Sequence, residues 1–246
     1  MTVSMQGTLR SQQSPLICQL ADCIESVWQK NLDLSPYQMP EDLGYVEGHL
    51  EGERLVIENH CYQTTQFRKL HLELARVGNN LDILHCVMFP NPNYAIPIFG
   101  ADVVGARGTV SAAIADLSPI RSDRALPKRY QAALSALPAI KFSQPRELPQ
   151  WGDIFSDFCL FVRPVNEQEE ALFLNRVQEL LSLHCQLACT TIPVTTHLEL
   201  VQVQEGQRRY CTRQQENDKT RRVLEKSFGP EWTERYMTTM LFDCVA

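Results

Sequence analysis

The sequence predicts an α+β fold of three layers, a central antiparallel sheet with helices on both faces. Alternating apolar and polar residues fill the middle of the chain, from about residue 44 to about residue 117, and helix-period patterns occupy both ends. The strand-like runs follow one another closely, separated by Gly-containing turns and by prolines 90, 92, 97, 119 and 127, which favours antiparallel pairing. The 246 residues, 44% of them hydrophobic and 21% charged, suffice for a substantial core and exclude disorder as the main state. One domain, 1–246, is expected, with residues 1–13 as a flexible tail. No apolar run approaches a membrane span and the N-terminal stretch lacks a signal-peptide core, so a cytoplasmic protein is expected. Nine cysteines without a C-x-x-C pair read as reduced thiols.

The first helix is read at SPLICQLADCIESVWQKNL, with Ser14 as cap, Pro15 in the first turn, and Leu16, Leu20, Ile24, Val27 and Trp28 on one stripe. GYVEGHLEGERLVIENH reads as a hairpin turning at Glu51-Gly52. In FRKLHLELARV, Leu70, Leu72 and Leu74 share one face, which leaves His71 and Glu73 on the other. LDILHCVMF places His85 in a row with Leu81, Ile83, Val87 and Phe89, and IPIFGADVV places Asp102 with Ile96, Ile98, Gly100 and Val104. GTVSAAIADL and IFSDFCLFVRP supply two more strand candidates. Helices are expected at LPKRYQAALSAL, at NEQEEALFLNRVQELLSLHCQLA, over a long segment from about Gln207 to Phe228, and at PEWTERYMTTML after the Gly229-Pro230 stop.

Three adjacent strands thus offer His71, Glu73, His85 and Asp102 to one side of the sheet. A carboxyl group among buried imidazoles handles protons near neutral pH, because desolvation raises its pKa and lowers theirs. The same residues also fit satisfied structural polar groups, or a non-haem iron or zinc site built from three strands. Arg208 to Lys226 holds seven Lys/Arg against three Asp/Glu in a chain of net charge −6, a pattern that fits a solvated helix face or a patch steering an acidic partner. No Gly-rich phosphate loop and no nucleic-acid-binding motif accompanies it, so neither nucleotide nor nucleic acid is expected.

The stretches EDLGYVEGHLEGERLVIENHCYQTTQFRKLHLELARVG, LDILHCVMFP, SAAIADLSP, QPRELPQWGDIFSDFCLFVRP and ENDKTRRVLEKSFGPEW resemble the ferredoxin-dependent bilin reductases over nearly the whole chain. The resemblance implies an α/β/α sandwich that reduces biliverdin IXα to phycocyanobilin by four electrons, the D-ring exovinyl group first and the A ring second. Electrons would come from a reduced [2Fe-2S] ferredoxin, with no metal, flavin or nicotinamide bound and no membrane partner. Carried over by motif, the catalytic residues are Glu73, His85 and Asp102, with His71 supporting Glu73; His85 favours the phycocyanobilin branch. Arg146 and Lys219 match positions that bind the bilin propionates, and Asn217 with Asp218 matches a segment over the pocket. Arg208, Arg213, Arg221 and Arg222 are the expected docking residues for acidic ferredoxin. His60 stands where relatives commonly have Arg, Ala101 replaces a frequent Cys, and His49, His184 and His197 have no assigned role. Two alternatives stay open: a bilin-binding or delivery protein without turnover, and a non-haem metalloenzyme.

Overall fold

The computed structural model describes residues 9–244. A sheet of eight strands runs through it: β1 (Ser35–Pro36), β2 (Tyr45–Leu50), β3 (Glu53–Gln63), β4 (Phe67–Val77), β5 (Leu81–Pro90), β6 (Ile98–Ala106), β7 (Thr109–Ser118) and β8 (Leu160–Val162). The order is β1-β3-β4-β5-β6-β7-β8, with β2 also on β3, and every pairing is antiparallel. Tight turns make this possible. At the first hairpin, Glu51 and Gly52 both take positive φ, 53° and 89°, the backbone twist that two-residue hairpins require.

One face packs against α1 (Pro15–Asn31), α2 (Lys128–Ser135) and α3 (Glu167–Cys189); Leu20, Ile24 and Trp28 of α1 meet Leu70, Leu72 and Leu74 of β4 and Phe173 and Leu181 of α3 in one core. The other face packs against α4 (His197–Gln215), α5 (Asp218–Phe228) and α6 (Pro230–Tyr236), which runs on through a π-helical turn, Met237–Leu241. Val203, Tyr210, Leu224, Met237 and Phe242 join Ile57, Ala75, Val87 and Ile98 there in a second core. A bulge between Phe67 and Lys69 sends Phe67 into the first core while Lys69 joins the row of His71 and Glu73 on the second face.

The long helix expected over residues 207–228 is instead two helices. The chain breaks at Asn217, whose side chain accepts from the Lys219 amide and starts α5 as its cap. Within 154–164 only Leu160–Val162 is a strand, paired to Ala113, Ile114 and Ala115 in the middle of β7. Ser14 begins α1 without a side-chain capping bond; its own amide donates to Asp82 Oδ2. Of the expected tail, residues 9–13 are folded onto the sheet: Leu9 is buried, and Gln13 Nε2 donates to the carbonyls of Ala75 and Ile83 at 2.9 and 3.2 Å. Residues 1–8 lie outside the described residues. No helix among the described residues is long and apolar enough to cross a membrane.

Gly206 fixes how closely α4 approaches the connection that follows β7, since a Cβ there would lie 1.8 Å from the Ile120 carbonyl oxygen. Glycine inside a helix ordinarily costs stability relative to alanine. Here the sign reverses: Gly206→Ala should destabilise the fold by about 2 kcal/mol in urea unfolding, as overpacked sites do.

Candidate active site

The register of the sheet lines up the proton-handling residues. Asn59, Glu73, His85, Asp102, Ile114 and Phe161 are successive cross-strand neighbours from β3 to β8. The same alternation that faces Leu72, Leu74 and Leu84 into the first core turns Glu73 and His85 to the second. Expected site residues from three strands therefore meet in one line.

His85 Nδ1 and Asp102 Oδ1 are 2.6 Å apart. Since a carboxylate only accepts, Nδ1 carries the hydrogen and Nε2 is the free nitrogen. On the other side of Glu73, the Asn59 Nδ2 amide donates to the Leu43 carbonyl at 2.7 Å, which leaves Asn59 Oδ1 as an acceptor. His71 Nε2 lies 2.7 Å from that oxygen and must be its donor. The Tyr236 hydroxyl lies 2.5 Å from Glu73 Oε2 and 3.0 Å from Asn59 Oδ1. His71 Nδ1 and His85 Nε2 are buried without partners among the described residues, and their rings sit 5.8 Å apart, edge to face. Buried nitrogens without a protein partner are able to take a polar guest where one reaches them.

Burial is the first cause of every shift here. It pushes the Glu73 carboxyl up, and His85 and the Tyr236 hydroxyl, which act the other way, do not cancel it. His71 is held well below the ordinary imidazole range by burial, then by the positive charges of Lys69 and His85. At His85 burial also disfavours the cation, but the charge and hydrogen bond of Asp102, followed by Glu73, outweigh it and raise the imidazole. The two histidines therefore differ in kind: His71 is a fixed neutral donor, whereas His85 can hold a proton and present it through Nε2.

The segment from Tyr236 to Asp243 forms a lid over this end. Lys69, fully buried, donates to the Met240 carbonyl at 2.8 Å and pairs with Asp243, which also pairs with Arg68. Phe242, thus fastened, lies edge-on to His85 at 5.5 Å. The other end stays open: the Asp102 side chain is 39% exposed, and Ile83, Val104, Ala112 and Ile114 around it are half-buried. Asp102 thus lies among partly exposed apolar side chains, with His71, Glu73 and His85 buried beside it.

The remaining expected residues are more scattered. Arg146 lies at the β8 edge, its guanidinium 5.4 Å from the Phe161 ring and donating to the Ser111 carbonyl at 2.5 Å. Lys219 is exposed on the first turn of α5, beyond the Asn217 cap. Arg208 is exposed on α4, whereas Arg213 pairs with Glu216 and Asp153, Arg221 with Glu234, and Arg222 with Asp218. The basic residues are thus spread over two helices and partly neutralised. His60 pairs with Glu58 at 3.0 Å in an outer cluster with Glu25 and Arg10. His184 is buried in the opposite core, bonded to the Tyr130 hydroxyl at 3.0 Å. Among the described residues no group of three or more His, Cys, Asp or Glu is arranged to hold a metal ion.

Asn59, Lys69 and Tyr236 were not singled out from the sequence. Asn59 carries the signal that exposed Asp102, a polar residue in the apolar row Leu55, Ile57, Cys61. Lys69 is concealed by an ordinary polar-face reading and Tyr236 by a helix whose partner strand is far away in sequence.

The family described as ferredoxin-dependent bilin reductase matches residues 21–243, and the chain belongs to it. More particularly, it is 60% identical over 232 residues to the phycocyanobilin:ferredoxin oxidoreductase of Trichodesmium erythraeum, covering 94% of each chain. It is 59% identical over 244 residues to that of Synechococcus elongatus, covering 99% of this chain and 98% of the other. The crystal structure of phytochromobilin synthase from tomato, in complex with biliverdin, shares the fold with a TM-score of 0.72 at 17% identity, covering 91% of this chain and 81% of that one.

Asp102→Asn removes the leading influence that raises His85. In an NMR titration of the His85 ring, wild type should titrate above the ordinary imidazole value of about 6.5 and the variant below it. Because the folded value is raised, the pair's contribution to stability is fully present below about pH 6.5 and fades as pH rises through the folded value, so the variant's deficit should grow on acidification.

Proposed function

We propose that this protein reduces biliverdin IXα to phycocyanobilin with four electrons delivered singly by reduced ferredoxin, D-ring exovinyl group before A ring, through a bilin radical. The observation that carries this reading is the single line of Glu73, His85 and Asp102 across three strands, beside an open apolar floor, in a member of this family. The donor explains why such a line is wanted. A plant-type [2Fe-2S] ferredoxin gives one electron at a time at about −400 mV. Each electron added to a conjugated bilin in an apolar cleft needs a matching proton, or charge accumulates where it is poorly solvated. This chain's own task is to hold and supply those protons.

Asp102, the most open of the three, meets the bilin at its pyrrole nitrogens and lactam oxygens and couples to His85, which the Asp102 carboxylate keeps chargeable. Glu73, its carboxyl pushed up by burial, is the group that delivers a proton near the D-ring vinyl. His71 orients Glu73 through Asn59 and Tyr236. Arg146, Lys219 and Asn217 receive the propionate end, the first with a forked donor and the second with a point charge. Arg208, Arg213, Arg221 and Arg222 guide a brief encounter with acidic ferredoxin, Arg208 being the most available.

Anaerobic turnover with reduced ferredoxin should convert biliverdin to a blue product identical to phycocyanobilin; tight binding without bilin consumption would mark a delivery protein instead. Asp102→Asn should bind biliverdin but stall, with an accumulating radical visible by electron paramagnetic resonance. Glu73→Gln should reduce the A ring and spare the D-ring vinyl, giving a two-electron product; phycocyanobilin as its main product would remove Glu73 from that step. Raising ionic strength through the physiological range should increase the KM for ferredoxin several-fold, since screening shortens the reach of the basic helices.

A further inference from the structure

The Tyr236 hydroxyl has one hydrogen and two buried acceptors. Glu73 Oε2 is 2.5 Å away and Asn59 Oδ1 is 3.0 Å away, and both the hydroxyl and the carboxyl lie in the covered part of the site. Asn59 cannot respond by flipping, because its amide is committed to the Leu43 carbonyl and its oxygen already accepts from His71. The tyrosine ring cannot leave, because it stacks on Trp232 with centroids 4.7 Å apart at 12°. The hydroxyl hydrogen is the part of the cluster that is free to turn.

We infer that Tyr236 is a two-position hydrogen-bond switch that positions Glu73 and sets when it gives up its proton. With Glu73 ionised, Tyr236 donates to Oε2. With Glu73 protonated, the carboxyl O–H donates to the tyrosine oxygen, and Tyr236 turns to Asn59 Oδ1, which can accept twice. When the Glu73 proton passes to a carbon of the reduced bilin, the carboxylate left behind receives the Tyr236 hydrogen bond at once, in a place where an unpartnered carboxylate would be costly. A proton from water entering the cleft restores the acid and turns the hydroxyl back. No electron moves in either half of the cycle, and the tyrosine keeps its own proton.

Tyr236 is a positioning residue, acting through Glu73. The titratable groups around the pair are Lys69 and His71 on β4, Cys61 on β3, His85 on β5 and Asp102 on β6, together with Asp243 of the lid. Burial holds the Tyr236 phenol well above its ordinary range, so it remains a donor throughout. The Tyr236 bond is one of the two influences that pull Glu73 down against burial, which gives the test its sign.

The role rests on the proposed reduction, so two readouts are needed. The first is single-turnover D-ring reduction against pH. Tyr236→Phe should move its alkaline limb up by about one pH unit, because the carboxylate loses a charge-assisted donor whereas the acid loses only a weaker neutral acceptor. Trp232→Phe, which alters the packing and leaves the hydroxyl, should not move the limb. The second is the infrared carboxylic acid band assigned by Glu73→Gln in the protein without bilin, which should persist to higher pH in Tyr236→Phe by the same amount. Site-specific 3-fluorotyrosine at position 236, a stronger donor of nearly the same size, should shift both readouts down, and it serves alone if the phenylalanine variant does not fold. An unmoved limb and an unmoved band in either variant would overturn the switch. A wild type that consumes no biliverdin would overturn the enzymatic reading instead, and the infrared titration would still decide the switch.

Discussion

Ionisable groups on a buried sheet face are tolerated only when each has a partner or a neutral form, and the rest of this structure is arranged around that constraint. Lys69, His71, Glu73 and His85 all point into the covered half of one face. Their cover is the segment from Tyr236 to Asp243, and that segment is held by the very groups it hides: Lys69 takes Met240 and Asp243, and Glu73 takes Tyr236. Cover and site are therefore one cooperative unit. A purely apolar row would pack the sheet more easily, and buried ionisable groups with shifted pKa values cluster at functional sites.

The partners chosen decide what each group can do. Asn59 is anchored by its amide, so it fixes His71 as a neutral donor and removes it from proton exchange. Asp102 does the reverse for His85, holding Nδ1 and keeping the ring chargeable with Nε2 turned inward. One imidazole becomes scaffold and its neighbour, 5.8 Å away, becomes a proton carrier, although both arise from the same strand alternation.

Much of this was legible in the chain itself. Leu70, Leu72 and Leu74 against His71 and Glu73 define two faces without ambiguity, and the strands bearing His85 and Asp102 keep the same rhythm. The fold class follows from those runs, and the trio follows from motifs resembling the family. What was not legible depends on contacts between distant residues. The break at Asn217 comes from a single capping bond inside a stretch whose helical propensity is otherwise continuous. The docking of residues 9–13 depends on Gln13 reaching carbonyls on β4 and β5. Lys69 falls in the site row by alternation, but its burial under Met240 and Asp243 depends on a segment more than 170 positions away, and the bulge that turns Phe67 to the opposite face is an irregularity that alternation cannot announce. Tyr236 meets Glu73 across 163 positions of sequence.

The two carboxyls of the line divide their work by solvation. Glu73 is 8% exposed and Asp102 carries a side chain 39% exposed, though only His85 separates them along the rung. Paired carboxyl groups placed in unlike environments take unlike roles, the desolvated one serving as acid and the solvated one exchanging readily. In a reaction that adds electrons singly, this asymmetry supplies an order without any moving domain. Under the proposed reduction, Asp102 would meet the ligand where water also reaches, His85 would hold a proton as charge builds on the bilin, and Glu73 would deliver its own where water is scarce. Swapping the two environments while keeping both carboxyls would preserve the composition of the site and lose its direction.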